Sequence, residues 1–144
     1  MYIPRKIFWE GKYSTGDDNL DFQHKYLFET CNKLGDAIHA ESSIEVIGVI
    51  LGRLTFYADW HFGKEEERMD EHHCPVAEIN KKAHADFMET FEKLHQEYNN
   101  SGGSLDLAIE IHEKLIAWLT SHIVGVDTKL HACIHRKPSS NEIS

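Results

Sequence analysis

Four segments of this chain carry apolar residues at alternating steps of three and four, and in each the stripe includes a histidine. The first reads His24, Leu27, Cys31, Leu34 and Ile38, and the second Ile47, Leu51, Leu54, Ala58, His61, Glu65 and Met69. The third reads Ala77, Asn80, His84, Phe87, Phe91, Leu94 and Tyr98, and the fourth Ala108, Ile111, Leu115, Trp118 and His122. Residues at that spacing share one face of an α-helix, and a helix with one apolar face must bury it against another element. Four such helices in 144 residues leave room only for short connections, which place neighbours antiparallel. The spacing predicts an all-α fold, an antiparallel up-down-up-down four-helix bundle.

The punctuation agrees. Ser42-Ser43 offers a cap for the second helix, Cys74-Pro75 breaks it with Pro75 in the first turn of the third, and Asn99 to Ser104 reads as a turn. Residues 1–19 hold Pro4, Gly11 and Gly16 with no sustained period; Phe8, Trp9 and Tyr13 are spaced like an extended arm that packs on the body. We expect a single domain over residues 1–136. Residues 137–144 are polar and aperiodic, a tail or the start of a linker toward a downstream signalling domain.

Composition narrows the function. A formal net charge of −9, without a run of Lys or Arg, argues against nucleic acid or an anionic membrane as partner. No window approaches about 18 apolar residues, so no membrane span is expected. Cys31, Cys74 and Cys133 are odd in number and widely spaced, which indicates neither a disulfide framework nor a zinc knuckle and suits a reduced cytosol. The anomaly is histidine, at 11 residues.

Within Trp60-His61-Phe62-Gly63-Lys64-Glu65-Glu66, His61 and Glu65 lie one helical turn apart, where an imidazole and a carboxylate can hold one metal. Alone, such a pair is commonly a solvated surface pair. The alternation of the bundle changes that. His24 lies early in its helix, His61 and Glu65 late, His84 early, and His122 with Asp127 late, so all fall at the same end. Burying so many polar groups in one layer is costly unless a metal neutralises them. Nitrogen and oxygen donors without sulfur suit iron or manganese better than structural zinc. Asp127 follows His122 by five residues, about 140° around an α-helix. It must therefore point sideways, or the helix must be locally loosened.

Asp21-Phe22-Gln23-His24-Lys25-Tyr26-Leu27, His61-Phe62 with Glu65, His84-Ala85-Asp86-Phe87, and His122 with Asp127 together resemble the bacterial hemerythrins over residues 7 to 135; Trp9 and Gly16 also fit. The resemblance implies a non-haem centre of two iron ions, bridged by Glu65, Asp127 and an oxo or hydroxo group. His24 and His61 would hold one iron, and His84 and His122 the other. It implies dioxygen, or another small diatomic or anionic ligand, as the partner. One position departs from the family pattern: Asn80 stands where a histidine is usual. An amide oxygen is a weak neutral ligand, so Asn80 is expected to hydrogen-bond a water on the iron or to bind it weakly.

Other candidates have simpler readings. Glu92-Lys93-Leu94-His95 is out of phase with its stripe and reads as solvated surface. His72-His73-Cys74 and His131, Cys133 and His135 read as helix C-termini. His39 and His112 read as surface or rim. The functional expectation is a cytoplasmic oxygen- or redox-responsive domain without substrate turnover as its main role. The alternatives are a stand-alone oxygen carrier or store, or a di-iron peroxide or nitric oxide reductase.

Overall fold

The computed structural model describes residues 2–135. Four long helices, α1 (Asp18–His39), α2 (Ile44–Glu71), α3 (Ala77–Asn100) and α4 (Leu105–His122), form the body. A five-residue π-helical turn, Ile123–Asp127, and a short helix α5, Lys129–His135, follow them among the described residues. No strand occurs among the described residues. Each long helix packs on two others, α1 on α2 and α4, and α3 on α2 and α4, so the ring is closed. The four-helix bundle expected from the spacing is therefore observed, and no helix among the described residues is long and apolar enough to cross a membrane.

Local chemistry sets the starts. Asp17 accepts hydrogen bonds from the backbone N–H groups of Asn19 and Leu20 at 3.0 and 3.1 Å, Ser43 from Val46 at 3.2 Å and Ser104 from Leu107 at 3.3 Å. Each satisfies donors that a helix N-terminus otherwise leaves without a partner. The turn before α4 uses Gly103 at φ 88°, where a Cβ would lie 2.6 Å from the Ile44 side chain, so both backbone and space require glycine. Pro75 differs from expectation. It lies in a turn ahead of α3, which begins at Ala77.

All four stripes face inward; only Trp118, at the edge of the α4 stripe, is half-buried. The N-terminal arm packs on the body as expected through Trp9 and Tyr13, but not through Phe8. Phe8 is 70% exposed, whereas Ile7 and Tyr13 are buried. Ile7 donates its N–H to Asn32 Oδ1 at 3.0 Å and accepts from Asn32 Nδ2 at 2.8 Å, a strand-like pairing made by one side chain.

The arm also explains His112, which is fully buried rather than at the rim. Tyr2 Oη lies 2.8 Å from its Nδ1, and the Cys31 carbonyl lies 3.1 Å from its Nε2. Gly35 makes room, since a Cβ there would lie 2.8 Å from both His112 Nε2 and Pro4.

A further correction concerns the cysteines. Cys74 and Cys133 form a disulfide, with Cα atoms 5.7 Å apart; Cys31 is free and buried. Separation in sequence hid the pair. Helices α3 and α4 carry the chain out and back, so the loop after α2 and helix α5 meet at one end. The argument for a reducing compartment from unpaired cysteines falls with this pairing. The expected polar tail, residues 137–144, lies outside the described residues.

Candidate metal centre

The end of the bundle that holds this disulfide also gathers the polar members of the stripes. His24 enters from the second turn of α1, His61 and Glu65 from late α2, His84 from early α3, His122 from the last residue of α4, and Asp127 from the π turn. All six are buried, Glu65 completely.

The π turn resolves the placement of Asp127. Thr128 N–H donates to the Ile123 carbonyl at 3.0 Å, a five-residue step in place of the α-helical four. The widened turn absorbs one residue. Asp127 thereby returns to the side that His122 faces, with Oδ1 3.1 Å from His122 Nε2.

The two carboxylates tie the histidines together. Glu65 Oε1 lies 2.9 Å from His61 Nε2 and 3.4 Å from His84 Nε2, and Oε2 lies 3.4 Å from His24 Nε2. Asp127 Oδ2 lies 3.3 Å from His24 Nε2. Two donor groups result, His24, His61, Glu65 and Asp127 in one and His84, His122 and Asp127 in the other, each with atoms within 4.8 Å of one another. Either could hold a metal ion.

The donors are otherwise unsatisfied. Both Glu65 oxygens, Asp127 Oδ1, and the Nε2 atoms of His24, His61 and His84 are buried without a hydrogen-bond partner. Such atoms cost free energy unless something with strong local charge completes them. A cation meets that need, and the donor set of imidazole and carboxylate fits one.

Electrostatics tell the same story. Burial pushes His24 down, but the Asp127 and Glu65 carboxylates override it and hold the imidazole pKa up at about 10. Burial also pushes Glu65 up, yet His61, His24 and His84 keep its carboxyl well below the usual range. His84 is raised against the effect of burial by Glu65, Asp127 and Glu66. The layer favours positive charge at its centre.

Neighbouring side chains fix the rings. His61 Nδ1 lies 2.6 Å from Gln23 Oε1 and His84 Nδ1 lies 3.3 Å from Glu66 Oε2, contacts that turn each Nε2 inward. His84 stacks on Phe62 at 3.9 Å between centroids, and His122 stacks on Trp118 at 4.3 Å. Gln23 and Glu66 escaped the sequence reading. Each stands directly beside a stripe residue, at a position that periodicity assigns to the solvated flank.

Asn80 sits at the second donor group, fully buried. Its Oδ1 lies 2.8 Å from His122 Nε2 and its Nδ2 lies 3.3 Å from Met69 Sδ. The amide thus takes up the same nitrogen that a metal at His122 would use. Beyond His122, an open cleft of about 810 Å³ runs between α3 and α4, lined by Phe87, Phe91, Leu115 and Trp118 among others.

Comparison with known proteins agrees with this architecture. Residues 15–134 match the family model described as the hemerythrin HHE cation binding domain. A bacteriohemerythrin of Stenotrophomonas maltophilia is 30% identical over 124 residues, covering 84% of this chain and 76% of that protein. A myohemerythrin of Theromyzon tessulatum is 28% identical over 127 residues, covering 88% and 92% respectively. A hemerythrin-like protein of Naegleria gruberi is also 28% identical over 127 residues, again covering 88% and 92%. With the family model spanning most of the bundle and all six clustered donors inside the matched range, the chain belongs to the hemerythrin family.

Proposed function

We propose that His24, His61, Glu65, His84, His122 and Asp127 hold two iron ions, and that the domain binds or responds to dioxygen there. The observation that carries this reading is the sharing of the acids. Glu65 lies against His24, His61 and His84, and Asp127 against His24 and His122, so each carboxylate reaches both donor groups. A single ion needs no such sharing. Membership of the hemerythrin family favours iron among the metals that nitrogen and oxygen donors suit.

Iron held there in the reduced state would supply the electrons that dioxygen draws on. The chain supplies the setting. Gln23 and Glu66 accept the Nδ1–H protons of His61 and His84 and leave each Nε2 free to donate its lone pair. Phe62 and Trp118 hold the rings of His84 and His122 by stacking. The apolar cleft between α3 and α4 offers a small uncharged gas a path to the His122 side.

Asn80 favours a responsive domain over a carrier. A neutral amide beside His122 would leave an ion held there short of one strong nitrogen donor. With one strong nitrogen fewer, iron held there would favour lasting oxidation over reversible carriage.

The test is to load the protein anaerobically with ferrous iron, count iron per chain and record near-ultraviolet and visible absorption after dioxygen is admitted. Two irons per chain with new absorption are expected, and fewer than two in Glu65→Ala. A colourless parent, or two firmly held irons in Glu65→Ala, would overturn the assignment.

A further inference from the structure

We propose that Cys74 and Cys133 are a reversible redox site, whose closed disulfide clamps the end of the bundle that carries Asp127. The pairing is well placed for this. Cys74 lies in the loop between α2 and α3, directly after His73, whose φ of 51° turns the chain; Cys133 lies in α5. Their Cα separation of 5.7 Å is in the range a disulfide spans without moving the backbone.

Helix α5 packs on the bundle through a small patch of its own. It is seven residues long, too short to be stable alone. Its buried residues, Leu130 and Cys133, belong to a small cluster with Leu20, Met69, Cys74 and Ala77 that is separate from the main core. The bond therefore ties α5 to a patch drawn from α1, α2, the loop after α2, and α3.

That patch adjoins the donor groups on two sides. Asp127 stands two residues before α5, in the π turn that packs against it. Met69, completely buried in the same cluster, receives the Asn80 amide, whose oxygen meets His122. When the bond opens, α5 loses its covalent tie to this cluster, and Asp127 and Asn80 lose a fixed support. When it closes, both are pinned.

The chemistry balances with a peroxide as oxidant. One thiolate attacks hydrogen peroxide, its O–O bond breaks, and a sulfenic acid and water form; the second thiol then displaces the sulfenic oxygen as water and the S–S bond closes. Two thiols lose two electrons and two protons, and one peroxide becomes two waters. A small dithiol reverses the step by exchange and is itself oxidised to a disulfide.

The inference rests on the two-iron reading only for its effect on iron, and the experiment separates the two. Apo protein is treated with hydrogen peroxide or with dithiothreitol. Alkylation and mass spectrometry then read the bond, and hydrogen exchange reads residues 129–135. The oxidised chain should carry a peptide linking Cys74 to Cys133, and the reduced chain should exchange in α5 at least about tenfold faster. Cys133→Ser should behave as reduced under both treatments, whereas Cys31→Ala should keep the response. In the iron-loaded protein, release to a chelator should be about tenfold faster when reduced. Failure of peroxide to form the bond, or equal exchange of α5 in both states, overturns the clamp; equal iron release overturns its link to the metal. A chain that holds no iron sinks the two-iron reading instead, while the exchange result still decides the clamp.

Discussion

At Asn80 one side chain decides how many strong donors the second group can offer. Its oxygen already meets His122 Nε2 at 2.8 Å, so a longer, basic ring at that position would face the same ion. Asn80→His should therefore slow the decay of the absorption formed when the reduced protein meets dioxygen. Stopped-flow mixing of both proteins checks this, and a decay no slower in the variant would remove Asn80 from the argument. Gln23 acts one step further out. Gln23→Ala should weaken metal affinity about 10- to 100-fold by freeing the His61 ring, read by competition with a chelator. His112 makes a prediction about pH. Burial holds its pKa below 6.5 despite the Cys31 carbonyl and the nearby Glu113 and Asp36, so the folded state binds its proton less readily than the unfolded chain. The contribution is intact above about pH 6.5, the unfolded value, and is lost as pH falls toward the folded pKa. Melting of the iron-loaded protein between pH 7.5 and pH 5.5 should fall less steeply in His112→Gln than in the parent, about 2 pH units being enough to cross the window.

The elements differ in how readily they could be read. The helices and the level of the six donors were legible because burial imposes a period, and a polar residue on an apolar stripe stands out against it. His24, His61, Glu65 and His84 needed nothing more. Asp127 was legible as a conflict, five residues from His122 where α-geometry wants four, and the π turn is the resolution. Gln23, Glu66 and His112 were not legible, because each depends on a partner from elsewhere in the chain: Gln23 on His61, Glu66 on His84, His112 on Tyr2. Cys74 and Cys133 fall in the same class, 59 residues apart. The π turn yields its own test. Deleting the exposed Val124 should convert it to ordinary helix and leave the acid four residues after His122, still inward, with iron content near that of the parent. Deleting Thr120, ahead of the turn, should rotate both donors by about 100° and abolish iron binding. Iron analysis with far-ultraviolet circular dichroism distinguishes the outcomes, and equal iron in both deletions would refute the geometry.

For the molecule as a whole, the six side chains join all four long helices in one layer, so an ion held there would act as a cross-link between them. Removing it leaves buried carboxylates and imidazoles to find partners among themselves. The apo protein should melt well below the iron-loaded form, by differential scanning calorimetry, and equal melting temperatures would mean that the layer does not bind the bundle together. The disulfide is a second cross-link of another kind. Closing a loop of 59 residues is worth about 4 kcal/mol through the unfolded chain, so reduction should lower the apo melting temperature further.

The first donor group draws its members from both extremes of the domain, His24 near its beginning and Asp127 near its end. During synthesis the amino acids emerge in chain order, and Asp127, the acid common to both groups, is the last of the six to leave the ribosome. His24, His61 and Glu65, in α1 and α2, are made long before the complete set exists. If the six hold metal as proposed, loading would wait for a completed domain, which would tie cofactor capture to the end of synthesis.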